Sequence, residues 1–369
     1  MDMSERPLSV VESPNVCDVS AVVVNFNGGD RVLNCIGALI SQDISLRHIF
    51  VIDNGSTDGS ANQIRTSYPS VHVMELGENR GLPAARNAGL RLATSPLVLL
   101  IDNDVCLERD CLRQLVRTYE TLRPAVVCPR VLLLPETGIV QSDGAFPHFL
   151  GVMTLRHGYV PVEQAQSQTA DVEGCIGACM LVDRALALEA GGFDELYFFY
   201  FEDLEFSIRL RALGHRFVCE PAAVVYHDRG AGTPGLSFRG EGEYPLRRVY
   251  LSTRHRVLTL LIHYKTRTLL VLLPALVLFE ISCLLVVLLQ GWSRAWAKAW
   301  TWQLRNWRLI RQRRKRAQQT RILGDRELLA GGSIPLAPGF VRSRISGLVA
   351  AVLSWIMNGY WHIVHRWIG

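Results

Sequence analysis

The chain has 369 residues, 49% of them hydrophobic and 20% charged, which suits one large or two ordinary folded domains and excludes a globally disordered polypeptide. Its net charge is +5, with most of the excess after Pro245, so the C-terminal end is expected to face a membrane or another anion rather than the whole fold being basic. The nine cysteines are scattered with no C-x-x-C knuckle, which reads as reduced, mostly buried thiols in a cytosolic setting.

Met1–Pro14 has no apolar core. Residues 1–17 are therefore expected to be a flexible leader, with no cleavable signal peptide. Val19–Phe26 is a β-branched run that predicts a first buried strand, ending at Asn25, Asn27, Gly28 and Gly29. Arg31–Gln42 places Val32, Cys35, Ile36, Leu39 and Ile40 at helical spacing. A second strand over His48–Ile52 runs into Asp53-Asn54-Gly55-Ser56-Thr57-Asp58-Gly59, followed by a helix over Ser60–Tyr68 and a third strand over Val71–Leu76. Asn79-Arg80-Gly81 opens a helix over Leu82–Ala93. Leu97–Ile101 is five apolar residues long, too short for a membrane span and suited to a strand buried on both faces. Strands alternating with helices predict a parallel arrangement with right-handed crossovers.

In such a sheet the strand ends share one rim, where open α/β sheets bind ligands. Asn25, Asp53, Asn79, Arg80 and Asp102-Asn103-Asp104 are expected to meet there. Asp102 and Asp104 can hold a hard divalent cation through oxygen, and the cation can hold a diphosphate; the same spacing also suits a polar turn. Arg80 and Arg86 suit phosphate oxygens. No G-x-G-x-x-G follows the first strand, which disfavours a dinucleotide-binding domain.

Val126–Leu134 is another strand candidate, and Gln141–Val160 reads as a meander or loops with no chemistry assigned. Asp171–Val182 combines small residues, including Gly174 and Gly177, with a strand; Arg184–Ala190 is a short helix. Tyr197-Phe198-Phe199-Tyr200-Phe201 then runs directly into Glu202-Asp203 at the start of a helical pattern. A carboxylate there, at a helix N-terminus in a pocket walled by aromatics, could act as a charged base, or Asp203 could simply cap the helix. Val224–Asp228 is a last strand whose His227 could complete a metal shell or be structural.

Val22-Val23-Val24-Asn25-Phe26-Asn27, Asp53–Gly59, Asn79-Arg80-Gly81 with Ala85–Gly89, Asp102-Asn103-Asp104, Gly191–Glu195, Glu202-Asp203 and His227 occur in this order. The set resembles the family 2 glycosyltransferases of GT-A fold, especially the branch that includes bacterial rhamnosyltransferases. The likeness covers about the first two-thirds of the chain. It implies an α/β GT-A domain over residues 18–245, with a single Rossmann-like mixed sheet, followed by a helical, basic, membrane-associated region over 246–369. It further implies that Asn25 and Asp53 contact the donor nucleoside, that Arg80, Gly81 and Asn103 line the substrate pocket, and that Asp102, Asp104 and His227 belong to a Mg2+ or Mn2+ site. Asp203, with Glu202 beside it, corresponds to the acidic pair that supplies the base. The reaction so implied is inverting transfer of a sugar, rhamnose first among the candidates, from a nucleotide-diphosphate donor to a glycan or lipid-linked acceptor in cell-surface polysaccharide synthesis.

Arg247–Arg267 is basic with apolar stripes; Thr268–Gln290 is long enough to span a bilayer, which takes about 20 residues, but Pro274 and Glu280 interrupt it. Gly291–Arg326 is rich in Trp and Arg, and Ile345–Ile368 is a second apolar run ending in aromatic and basic residues. Basic flanks on both sides prefer the cytoplasm, so the first apolar segment either dips in and returns as a bent hairpin, lies in the interface, or crosses with Ile345–Ile368 crossing back, although that second run reads more like an interfacial helix. The expected setting is the cytoplasmic face of the inner membrane, with membrane lipids as partners and no nucleic acid. Two other functions fit less well. A nucleotidyltransferase of related fold would want a cationic loop after the first strand, and Asn27-Gly28-Gly29-Asp30 is not one. A non-catalytic membrane-bound scaffold would have lost some of the acidic positions, and all of the expected ones are present.

Overall fold

The computed structural model describes residues 17–228, 246–334 and 344–369. The leader read at residues 1–17 lies outside these but for Cys17, and the division read near residue 245 falls at the edge of 229–245, also outside them.

In chain order the elements are β1 (Val19–Asn25), α1 (Gly29–Ile40), β2 (His48–Asp53), α2 (Ser60–Ser67), β3 (His72–Glu75), α3 (Leu82–Leu92), β4 (Leu97–Asp102), β5 (Val105–Leu107), α4 (Cys111–Leu122) and β6 (Val126–Leu134). Then come β7 (Val140–Ser142), β8 (Ala145–His148), β9 (Val152–Leu155), β10 (Ala170–Val172), β11 (Cys179–Asp183), α5 (Arg184–Glu189), α6 (Glu202–Ala212) and β12 (Phe217–Asp228). The C-terminal helices are α7 (Leu246–His263), α8 (Thr266–Leu289), α9 (Ser293–Arg305), α10 (Trp307–Thr320), α11 (Asp325–Leu328) and α12 (Arg344–Val364).

The main sheet runs β10-β12-β6-β11-β4-β1-β2-β3, with β5 on β12 and β7 on β6. β1 is parallel to both β2 and β4, β2 to β3, and β12 to β6. The sheet is mixed because β11 lies antiparallel between β4 and β6. The period-2 alternation of side chains sorts the central strands into two layers. Val19, Ala21 and Val23 of β1 and Leu97, Leu99 and Ile101 of β4 face one core, completed by Val32, Cys35, Ile36 and Leu39 of α1. Val22, Val24, Val98 and Leu100 face the other, against Ala85, Ala88 and Leu90 of α3. Each buried Val, Leu or Ile among these contributes about 1.5–3 kcal/mol.

β12 begins seven residues earlier than the sequence pattern suggested, because Glu220-Pro221 interrupts it at a register shift against β6. Proline cannot donate to the ladder and is tolerated at such a bulge. The stretch read as meander or loops holds β7 and the β8–β9 hairpin.

α7 docks on the sheet domain. Tyr197 Oη and Thr259 Oγ1 are 3.1 Å apart, the ring of His255 donates through Nδ1 to the Tyr200 carbonyl at 2.8 Å, and Arg256 donates to the Leu150 carbonyl at 3.1 Å. A third apolar core joins Phe149, Leu150 and Ala212 of the sheet domain to Leu260 and Tyr264, to Leu272, Ala275 and Phe279 of α8, and to Met357, Trp361 and Val364 of α12. The rings of Phe149 and Trp361 stack at 5.0 Å and 12°. All nine cysteines are free thiols, six of them buried.

Candidate active site

The ends of β1, β2 and β4 are knitted by short polar side chains. Asn25 Nδ2 donates to Asp53 Oδ1 at 2.8 Å and to the hydroxyls of Ser60 at 2.8 Å and Ser56 at 3.2 Å. Asn103 Nδ2 donates to Asn25 Oδ1 at 3.1 Å. Asp53 also accepts the Ser56 N–H and hydroxyl. Asn25 is 0% exposed and Asp53 2%. The Asn25 amide holds the Asp53 carboxylate and the Asn103 side chain in position.

At the end of β4, Asp102 Oδ1 takes a charge-assisted bond from Arg86 Nη2 at 2.9 Å. Arg86 is 1% exposed. Its other partners are the Gly177 carbonyl at 2.7 Å, Glu202 Oε1 at 3.4 Å and the face of Phe193 at 5.2 Å. A Cβ on Gly177 would sit 2.6 Å from the guanidinium nitrogens, so only glycine leaves room for it. Arg86, expected on phosphate oxygens, is instead committed to two carboxylates inside the protein, because α3 carries it under the sheet rim. The chain departs from the sequence reading here for a tertiary reason: its partners lie 16 and 116 residues away.

The acidic pair opens α6. Tyr200 and Phe201, just before it, both hold left-handed backbone (φ 67° and 69°), a conformation that persists in non-glycine residues only where the surroundings enforce it. The enforcement is visible: the Phe198 carbonyl accepts the Leu82 N–H at 2.9 Å, and the Tyr200 carbonyl accepts from His255. The two carboxylates differ. Glu202 is buried, with one oxygen toward Arg86 and Oε2 without a hydrogen-bond partner. Asp203 is half-buried; it accepts the Leu204 N–H at 2.8 Å and the Gly177 N–H at 3.2 Å. Burial raises both above the ordinary carboxylate range, and for Glu202 the Asp203 charge adds to this. The aromatic block serves partly as a joint to α7: Tyr197 is buried against Thr259, and the rings of Phe198 and Tyr200 face Arg247 at 4.9 Å and Arg248 at 4.6 Å.

β12 brings His227 opposite β5, so its Nε2 lies 3.4 Å from Asp104 Oδ1. The Nδ1 of His227 is 2.9 Å from Gln141 Oε1. An amide oxygen can only accept, so Nδ1 donates to it and Nε2 is the nitrogen turned to the carboxylate. This oxygen-plus-imidazole set suits Mn2+ or Mg2+. Of the three expected ligands the structure pairs Asp104 with His227 and turns one oxygen of Asp102 to Arg86; among the described residues no group of three His, Cys, Asp or Glu side chains forms a ready cage. Gln141, to which the sequence assigned no role, orients His227, and no local signal marks it.

Arg80 is exposed at the rim, its N–H held by Asn54 Oδ1 at 2.9 Å. Gly81 (φ +89°) lies under the aromatic block: a Cβ there would meet the Phe198 carbonyl oxygen at 2.5 Å.

A mixed sheet with an Asp-x-Asp at one central strand end and an acidic pair beside it is the arrangement of a GT-A-like fold. Residues 20–187 match the family described as Glycosyl transferase family 2; Asn25, Asp53, Arg86, Asp102 and Asp104 lie within that match, and Glu202, Asp203 and His227 follow it. The low-salt glycan biosynthesis hexosyltransferase Agl10 of Haloferax volcanii is 24% identical over 268 residues, covering 67% of this chain and 77% of that protein. The N-acetylglucosaminyl-diphospho-decaprenol L-rhamnosyltransferase of Mycobacterium tuberculosis is 25% identical over 237 residues, covering 58% and 76%. Among solved structures, GalNAc-T7 with UDP, GalNAc and Mn2+ is similar with a TM-score of 0.52 and 16% identity, over 67% of this chain and 48% of that one, a likeness of fold alone.

Proposed function

We propose that this family 2 glycosyltransferase transfers a sugar, rhamnose first among the candidates, from a nucleotide-diphosphate donor to a glycan or lipid-linked acceptor, with inversion and with a divalent cation. The reading rests above all on one observation: a single buried guanidinium joins Asp102 at the strand end to Glu202 at the head of α6, so the Asp-x-Asp and the acidic pair are parts of one site. The names of the two relatives, a glycan hexosyltransferase and a rhamnosyltransferase for a diphospho-decaprenol acceptor, support the acceptor class and the sugar.

Asp104 and His227, with the second oxygen of Asp102, would hold Mg2+ or Mn2+. The cation, when bound, supplies Lewis-acid stabilisation of the departing diphosphate. Arg80 contributes positive charge at the nucleotide rim, and Asp53 and Asn103 shape it. Asp203, the more exposed carboxylate, takes the acceptor hydroxyl proton as that oxygen bonds to the anomeric carbon and the bond from that carbon to the diphosphate oxygen breaks. The electron pair of the broken bond leaves on the diphosphate, and attack from the opposite face inverts the carbon. Glu202, tied to Arg86, positions rather than exchanges protons. The C-terminal helices associate with the cytoplasmic face of the inner membrane, where a lipid-linked acceptor is found and nucleotide-sugars are available.

A panel of nucleotide-sugars, with and without Mg2+ or Mn2+, tests this by nucleotide release and by thermal protection. Cation-dependent release with one sugar, lost in Asp104→Ala, is the expected result. Release indifferent to the cation and unchanged in Asp104→Ala would refute the metal assignment.

A further inference from the structure

Two helices are long and apolar enough to cross a membrane, Thr266–Leu289 and Gly347–Trp367. The packing around them is at odds with crossing. In α8, Thr268, Leu272, Ala275, Phe279 and Val287 are buried against the protein, while Leu270, Leu273, Val277, Ile281, Leu285 and Leu288 are exposed. These are two stripes at helical spacing on opposite faces, running the length of the helix, about 36 Å. α12 repeats the pattern: Met357, Trp361 and Val364 are buried, and Leu348, Val352, Trp355 and Ile363 are exposed. The two helices meet where Tyr360 Oη donates to the Val271 carbonyl at 2.6 Å.

The next two helices hold both ends of α8 on one side. α9 is pinned to α7 by Gln303 Nε2 on the Arg254 carbonyl at 2.6 Å and by Arg254 over the Trp302 ring at 4.4 Å. α10 is pinned to the end of α7 by Arg314 on the carbonyls of Leu261 and Tyr264, at 2.6 and 2.7 Å. α7 is itself docked on the sheet domain through Tyr197 and Tyr200. Midway along α8, Glu280 pairs with Arg256 of α7 and accepts the indole N–H groups of Trp296 and Trp300 of α9, each at 3.2 Å. A helix that spanned the bilayer would put α9 and α10 across it, away from the helix they pack on.

We infer that α8 and α12 lie in the plane of one leaflet, their exposed apolar stripes in its acyl layer, and that neither crosses the membrane. This rests on the membrane association proposed above and adds how it is achieved. The occupant of the stripes is a bilayer with anionic headgroups. Residues 281–324 carry ten Arg and Lys and no Asp or Glu. Arg294, Arg305, Arg308, Arg311, Lys315 and Arg316 of α9 and α10 are exposed, as are Leu304 and Trp307 between them. Basic side chains beside exposed indole and aliphatic groups are the composition of a helix at the headgroup level.

The experiment uses the full chain added to preformed phosphatidylglycerol-containing and pure phosphatidylcholine vesicles. Flotation with the anionic vesicles, and about tenfold or more weaker binding by Leu273→Asp/Ile281→Asp with an unchanged circular dichroism spectrum, are expected. In bound samples a membrane-impermeant maleimide added outside should label Gln319→Cys in α10, read on its own peptide by mass spectrometry, to the same extent before and after detergent. Flotation with labelling only after detergent would overturn in-plane docking and leave the membrane association standing. No flotation with either vesicle would overturn both. Self-association of the wild-type chain in solution, abolished by the same paired substitution while vesicle binding is unaffected, would assign the stripes to a second copy and also overturn the proposal.

Discussion

A guanidinium with 1% exposure holds two carboxylates at Arg86, and removing one partner of such a buried set leaves charge without compensation. Arg86→Met should therefore lower the melting temperature and reduce kcat on the order of 10²-fold, because Asp102 and Glu202 lose the group that spaces them. Calorimetry and steady-state rates on one preparation check this; wild-type kcat in a folded Arg86→Met would remove Arg86 from the site. The acidic pair separates by the same means. Asp203→Asn is expected to lose about 10²–10⁴-fold in kcat with little change in stability, and Glu202→Gln much less. Equal losses from the two changes would contradict the division of roles. Burial raises the Asp203 carboxyl, with the Leu204 N–H, the Arg86 guanidinium and the Gly177 N–H opposing. A base must be deprotonated to work, so activity should rise with pH along a limb displaced above the usual carboxylate range. A pH–rate profile of kcat/KM reads it, and the limb should be absent from the residual activity of Asp203→Asn.

The elements that aim these side chains are held by backbone contacts rather than by propensity. Gly81 starts α3 with φ +89°, and its hydrogen touches the Phe198 backbone, which leads into the strained Tyr200-Phe201 turn and α6. Gly81→Ala should push that segment away, costing about 1–3 kcal/mol of stability and lowering activity through the misplaced acidic pair. Denaturant unfolding and kcat should fall together; a variant of unchanged stability and rate would show that the contact is dispensable. The central strands were readable because a run such as Leu97–Ile101, buried on both faces, leaves no other comfortable conformation. The first half of β12 was not, since Glu220-Pro221 breaks the pattern and its support comes from pairing with β6 and β10.

On the scale of the whole molecule the charge is polarised. Residues 246–369 carry 20 Lys and Arg against 3 Asp and Glu, yet the same region completes the third apolar core with Phe149 and Leu150. The C-terminal helices are thus both the basic face and part of the fold. Truncation after Lys265 would bare Phe149, Leu150 and Tyr264, side chains worth about 1.5–3 kcal/mol each when buried. The expected product is aggregated or of clearly lower melting temperature, rather than a soluble active domain. A well-folded, active truncation would show that the third core is not needed.

From order and residue type alone came the alternating strands and helices, the Asp-x-Asp at Asp102–Asp104, the acidic pair at the head of α6 and the basic, apolar end of the chain. These are local: hydrophobic period, turn chemistry and short motifs lie within a few residues of one another. Tertiary structure alone decided which polar groups meet. Arg86 faces carboxylates 16 and 116 residues away and not phosphate, Asn25 bonds to Asp53, 28 residues on, Gln141 turns His227 toward Asp104, and α9 folds back on α7 beside a helix the sequence could have read as a span. No pattern along a chain specifies a partner that distant; only the closing of the sheet and the packing of helices upon it bring these groups within bonding distance.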